Sequence, residues 1–284
     1  MAIEEKKIIL PGGNTCPGCT GPIVHRLIYN TLGKNVIQFG GGGCGGGSPR
    51  DVPSYSLHHS GVASGATGIV KALEAQGRTD ITVVAMAGDG AASNTSFGKL
   101  SAAALRDDNM IFFTCDNEAY MNTGVQKSDL TPYNAWTRTT PLGKKTRKMD
   151  LPMIMAYHYV PYVATVTPAY HMDFVRKLKK AKEIEGFKYI HVLQPCPTGW
   201  RHDPAKAVEL SRLAVQTKIW PLYEIDDGNF KITYKPREFK PVSEYLGPQR
   251  RYSHLDDGMV EEIQKLQDEE WENVLSRDGK YIWG

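Results

Sequence analysis

The stretch that most constrains the fold runs from Ile81 to Gly124, ITVVAMAGDGAASNTSFGKLSAAALRDDNMIFFTCDNEAYMNTG. The apolar, β-branched run Ile81 to Ala87 breaks at Gly88-Asp89-Gly90, and a second apolar run, Met110 to Cys115, breaks at Asp116-Asn117. Both runs read as buried strands, because short continuous apolar segments bounded by turn residues fit a strand covered on both faces. Between them, Ser96 to Arg106 is alanine-rich and made largely of good helix formers. The three pieces make a β-α-β unit, and the fold class expected is α/β with a parallel sheet and helices on both faces.

In such a unit the strands are parallel, so Asp89 and Asn117 emerge from the same edge of the sheet. Ligands of open α/β sheets bind outside the carboxyl ends of the strands. A carboxylate, an amide oxygen and loop carbonyls gathered there suit Mg²⁺, which wants oxygen donors in near-octahedral array and shares them with a ligand's phosphates. The glycines on either side of Asp89 would let backbone approach a diphosphate closely. The plainer reading is that Gly-Asp-Gly is only a tight turn after a strand.

Cys16 and Cys19 form C-P-G-C ahead of a helix expected from about Pro22 to Leu32, with proline in its first turn. A lone C-x-x-C describes a zinc knuckle, a redox dithiol or chance equally well. Cys44 follows the apolar run Val36 to Phe39 inside GGGGCGGG, which has no side chains to bury, and Cys196 follows the apolar run Tyr189 to Leu193 in QPCPTGW. If these runs join the same sheet, both cysteines lie at its carboxyl edge, beside the diphosphate site. Four thiolates there suit a [4Fe-4S] cluster, although the spacing also describes structural zinc. Cys115, inside an apolar strand, reads as a core thiol.

The remainder bounds the class. The 284 residues suffice for one large α/β domain, and a net charge of +3 is too small to argue for nucleic acid. No apolar run approaches the length of a membrane span, and MAIEEKKIILPGGN lacks the basic-then-apolar pattern of a signal peptide. A cytoplasmic location is therefore expected, with cysteines used for metal or redox work rather than disulfides. His58 and His59 are adjacent, so a helix or strand would turn them apart, which argues against a paired metal site. Lys144, Lys145, Arg147 and Lys148 form a basic group in a loop-like segment, a solvated face or a contact for coenzyme A phosphates or an acidic protein. Further strands and helices are expected at Tyr162 to Val166, Tyr170 to Glu185 and Pro204 to Thr217. Residues 1–221 thus form the main domain. Residues 222–284, with scattered prolines and a helix expected from Asp256 to Ser276, read as an extended arm packing on partner subunits.

The sequence DNEAYMNTG, following a GDG turn at this distance, resembles the thiamine diphosphate signature of the 2-oxoacid:ferredoxin oxidoreductases, in particular their β subunit. CPGC, the third cysteine and CPTGW resemble that family's ligands to its proximal cluster, and the two motif sets fall in family order. The resemblance implies that Asp89, Asn117 and the carbonyl of Ala119 bind Mg²⁺, that Gly88, Gly90 and Asn122 face the cofactor, and that Asn122 lies at the reacting centre. It assigns Cys16, Cys19, Cys44 and Cys196 to a [4Fe-4S] cluster. The implied reaction is oxidative decarboxylation of a 2-oxoacid with coenzyme A to acyl-CoA, CO₂ and two electrons passed to ferredoxin or another acceptor. In the family the carboxylate that activates the cofactor comes from a partner subunit, so the chain is expected to work only with alpha, gamma and ferredoxin-like delta subunits. The glycines around Cys44 and SYSLHHSGVASG depart from the pyruvate pattern and suggest a pocket reshaped for a branched or aromatic 2-oxoacid. Two other readings remain: a non-redox thiamine-dependent decarboxylase subunit with structural zinc, and a zinc-binding scaffold in which GDG is only a turn.

Overall fold

The computed structural model describes residues 8–41, 44 and 48–284. The glycine-rich run around Cys44 falls largely outside the described residues, and so does its share of the expectation of a reshaped pocket; SYSLHHSGVASG, which carried the rest of that expectation, is described. The organising β-α-β unit consists of β3 (Thr82–Gly88), α3 (Phe97–Leu105) and β4 (Met110–Asp116), with a π-helical turn at Ala91–Thr95 leading into α3. β1 (Val36–Gly41), β2 (Ser54–Leu57), β5 (Tyr162–Val166) and β6 (Phe187–Leu193) join the same sheet, whose order is β2-β1-β3-β4-β6-β5 with every pair parallel. From β1 the chain goes outward to β2, then returns to place β3 on β1's other side. The sheet therefore reverses its order between β1 and β3, the kind of crevice in which open α/β sheets hold ligands.

Strand alternation divides the core into two faces. Val83, Ala85, Ala87, Phe112 and Tyr189 pack under α2 (Val62–Ala75), α3 and α4 (Leu151–Ala156). Val84, Met86, Ile111, Phe113 and Cys115 pack under α1 (Gly21–Leu32) and α5 (His171–Glu183). Cys115 is thus a core thiol, as its strand position suggests. Helices of the second half, α7 (Ala207–Gln216) and α8 (Val242–Leu246), enclose a third cluster with Trp200, Trp220 and Leu193. The short helix between β6 and α7, α6 (Pro197–Trp200), begins at Cys196.

Residues 222–284, expected as an arm held by other subunits, are bound to their own chain. β7 (Leu222–Asp226) adds antiparallel to β5, and β8 (Asn229–Tyr234) folds back on β7 through Asp227-Gly228, both at positive φ. That is the hairpin turn an Asp-Gly pair favours. The last helix, α9 (Asp257–Arg277), is capped by Asp256, whose carboxylate accepts from Met259 N at 2.8 Å, and buries Ile263, Trp271 and Val274. Among the described residues no helix is long and apolar enough to cross a membrane.

Candidate functional site

A cavity of about 420 Å³ opens at the carboxyl edge of β1, β3 and β4, at the reversal point of the sheet. It is lined by Gly40 and Gly41 from β1, Gly88, Asp89 and Gly90 after β3, Asn117, Ala119 and Asn122 after β4, and Cys44. Every residue expected to touch the cofactor is therefore brought to one place. Asn122 is exposed at its mouth, whereas Asp89, Asn117 and Ala119 are buried at its floor.

The floor is an oxygen-rich corner. Ser128 Oγ donates to Asp89 Oδ2, leaving Oδ1 directed at the Asn117 carboxamide. The facing atom of that carboxamide lies 2.8 Å from Ala119 O and 3.2 Å from Asp89 Oδ1. With nitrogen turned inward it donates to both; with oxygen inward, three acceptors converge. Oxygens bound at 2.0–2.1 Å to an octahedral Mg²⁺ sit about 2.9 Å apart along an edge, so this spacing fits the cation that would replace the missing protons. Burial, with Asp116 nearby, pushes the Asp89 carboxyl well above the usual carboxylate range, a cost a bound cation would relieve. Tyr120 lies flat on this corner: its hydroxyl donates to Gly90 O at 2.9 Å, and any Cβ at Gly90 would fall 2.3 Å from its ring. That close approach explains the second glycine of GDG.

Beneath the corner lies a charged network that the sequence did not reveal. Glu118, 1 % exposed and at φ 69°, receives Lys148 Nζ at 2.8 Å and Arg251 Nη2 at 2.6 Å. Lys148 also reaches Asp116 at 2.8 Å, and His191 Nε2 meets the same carboxylate at 3.0 Å. Burial opposes ionisation of Asp116, but Lys148 and His191 more than offset it and hold the carboxyl below the usual range. The basic group is accordingly not one solvated face. Lys144 is buried, its ammonium donating to the carbonyls of Asp129, Thr131 and Arg147, while Arg147 stays exposed, 3.7 Å from Glu269.

The four candidate cluster cysteines come together at the same edge. Gly18 holds φ 72°, and a Cβ there would fall 2.3 Å from Pro204 O, so the C-P-G-C turn packs directly on the chain just after Cys196. Cys19 Sγ accepts from Gly21 N at 3.4 Å and Cys196 Sγ from Gly199 N at 3.3 Å. Partial burial, then Cys196, Cys19 and Cys16 in turn, push the Cys44 thiol up to about 12, a mutual discouragement expected of thiols gathered without a cation. Among the described residues no three His, Cys, Asp or Glu side chains close on a single-ion site. Cys115, in the core of the sheet, also lines the cavity, its thiol pushed up to about 12 by burial first and then by Cys19, Asp116 and Asp89.

His59 lines the cavity, and against the expectation that the two histidines would be turned apart, its ring lies 3.9 Å from that of His58, tilted by 35°. Gln194 also lines it, and its Nε2 has no partner among the described residues. Gln194, Ser128 and Arg251 are additions to the residues expected from the sequence, and Lys148 was expected only as part of the basic group. Of the three additions only Gln194 carried a signal, its place two residues before Cys196.

Comparison with known proteins places the chain among relatives. The family described as "Thiamine pyrophosphate enzyme, C-terminal TPP binding domain" matches residues 47–192. Pyruvate synthase subunit PorB of Methanothermobacter thermautotrophicus is 45% identical over 280 residues, covering 94% of this chain and 97% of that one. Ketoisovalerate oxidoreductase subunit VorB of Pyrococcus horikoshii is 38% identical over 293 residues, covering 96% and 94%. In fold the chain is similar to a chain of 2-oxoglutarate:ferredoxin oxidoreductase from Magnetococcus marinus, at TM-score 0.61 and 24% identity over 74% of this chain and 82% of that one. This chain belongs to the family of thiamine diphosphate-binding β subunits of the 2-oxoacid:ferredoxin oxidoreductases.

Proposed function

We propose that this chain is the subunit that holds Mg²⁺-thiamine diphosphate and a [4Fe-4S] cluster in a complex carrying out coenzyme A-dependent oxidative decarboxylation of a 2-oxoacid. The observation that carries the reading is the corner where Asp89 Oδ1, the Asn117 carboxamide and Ala119 O approach within 2.8 to 3.2 Å. Those three groups would hold the cation, and the glycines at positions 88 and 90 would admit the diphosphate. When bound, the cofactor supplies a carbanion for attack on the keto carbon and a sink for the electron pair left by CO₂. The chain's share is to seat the diphosphate, keep water from the floor through Tyr120 and Ala119, and offer Asn122 at the mouth to the reacting centre. Cys16, Cys19, Cys44 and Cys196 would hold the cluster, which would take up the electrons one at a time.

The substrate is pyruvate or a bulkier branched or aromatic 2-oxoacid, and the alpha, gamma and delta subunits complete the active centre and the route to ferredoxin or another acceptor. The test is iron, acid-labile sulfide, zinc, magnesium and thiamine diphosphate per chain on anaerobically purified complex, with the partners' clusters counted separately. Four irons and four sulfides on this chain, with stoichiometric cofactor, are expected; one zinc and no sulfide would overturn the redox reading. Turnover of pyruvate against 3-methyl-2-oxobutanoate and phenylglyoxylate then assigns the substrate, and a strong preference for pyruvate would overturn the enlarged pocket.

A further inference from the structure

Two residues from distant parts of the chain grip the three-residue segment that carries two of the proposed cation ligands. Trp200, fully buried, donates its indole Nε1–H to Asn117 O at 2.8 Å. Arg251, 2 % exposed, lays its guanidinium 3.9 Å from the centre of the Trp200 ring and pairs with the Glu118 carboxylate. Gln249 accepts from Arg251 Nε at 2.8 Å and so fixes the guanidinium's orientation, while Thr131 Oγ1 donates to Glu118 O at 2.7 Å. Between the Asn117 side chain and the Ala119 carbonyl, Glu118 sits at φ 69°, a left-handed conformation that a side chain such as glutamate adopts only where its surroundings impose it. This is the bend that turns both ligands toward Asp89. Relaxed to an ordinary φ, the segment would point them apart.

We propose that Trp200 and Arg251 are positioning residues for the divalent cation of the diphosphate cofactor, acting by holding Asn117-Glu118-Ala119 in its left-handed bend; this rests on the cofactor site proposed above. Because Trp200 ends the helical turn that Cys196 begins, and a Cβ on Gly199 in that turn would fall 2.0 Å from Met121 Sδ, the clamp joins the cation segment to the cluster turn in one rigid piece.

The experiment is calorimetric titration of the cofactor-depleted complex with thiamine diphosphate at a series of Mg²⁺ concentrations, for wild type, Trp200→Phe, Arg251→Lys and Asp89→Ala. Trp200→Phe keeps an aromatic ring beside Arg251 while removing the indole N–H together with part of the bicyclic ring, so the Mg²⁺ concentration giving half-maximal binding should rise about tenfold, the effect of one good hydrogen bond. Saturating Mg²⁺ should restore thiamine diphosphate binding with iron content unchanged, while the truncation of a fully buried side chain lowers the melting temperature. Arg251→Lys keeps the charge but loses the stack and the fork, and should shift Mg²⁺ dependence in the same direction. Wild-type Mg²⁺ dependence in both variants, alongside loss of binding in Asp89→Ala, would overturn the clamp and leave the cofactor site standing. Loss of iron together with binding in Trp200→Phe would also overturn it, showing a general structural role. Failure of the wild type to bind Mg²⁺-thiamine diphosphate would remove the cofactor site, and the clamp with it.

Discussion

Lys148→Met is the sharpest test of the buried network, because the replacement keeps the side chain's bulk beside Trp220, over whose ring Nζ lies at 5.0 Å, and removes only the charge. In the structure Nζ stands 2.8 Å from both Asp116 and Glu118, whose side chains have no exposure, while the lysine itself is a quarter exposed. Each pair is worth about 6 kcal/mol of attraction at an effective dielectric of about 20, before the lysine's own loss of hydration is set against it. His191 still serves Asp116 and Arg251 still serves Glu118, so neither carboxylate is left wholly uncompensated. Breaking such a pair from one side costs about 3 kcal/mol, toward the low end for buried charges because of the exposed stem. For a chain of this size that lowers the melting temperature by about 5 °C. Differential scanning calorimetry of the anaerobic complex reads it, with Arg147→Ala as the control, since that exposed pair at 3.7 Å should contribute less than about 0.5 kcal/mol. Equal melting temperatures for Lys148→Met and wild type would refute the network as a source of stability.

Asp89→Ala should abolish Mg²⁺ and thiamine diphosphate retention while leaving the far-ultraviolet circular dichroism unchanged; normal cofactor content would remove Asp89 from the site. Cys196→Ala should lose iron, whereas Cys115→Ala should keep it and cost about 1–2 kcal/mol of packing in chemical denaturation; equal iron loss from both would mean that the wrong four thiols were chosen. His25 is 1 % exposed, neither ring nitrogen has a partner among the described residues, and burial with Arg50 nearby lowers its pKa to about 4. The unfolded chain, titrating near 6.5, takes up the proton first, so this contribution is intact above about pH 6.5 and is lost as pH falls toward 4, by about 3 kcal/mol in all. His25→Phe should flatten the pH dependence of unfolding over that interval; an unchanged slope would refute the neutral buried state.

The parts legible in the sequence are those whose signal is local. The runs at 82–88, 110–116, 162–166 and 187–193 are buried along almost their whole length because helices cover both faces, and their ends alone fix where Asp89, Asn117 and Cys196 emerge. The strands LYEID and NFKITY lie at the sheet's antiparallel end, where one face or edge meets solvent and polar residues intervene, so only Asp227-Gly228 marked the hairpin. SYSL was hidden for the same reason, being exposed along its whole length. The network joining Glu118 to Arg251, 133 positions apart, and the bond from Trp200 to Asn117, 83 apart, leave no periodic trace, because each needs the finished fold to exist.

SYSL has a further consequence for how such a chain is handled in the cell. β2 ends the sheet, pairing among the described residues with β1 alone, and all four of its residues are exposed, Tyr55 by 52% and Leu57 by 37%. A bare strand margin with apolar side chains is a template for uncontrolled association. Ser54, Tyr55 and Ser56 also border the cavity, so whatever neighbour shields that margin also stands at the cavity's rim. In the proposed complex, one neighbour would then both cap the strand margin and close the rim, so that burying the edge and drying the cavity would be a single event.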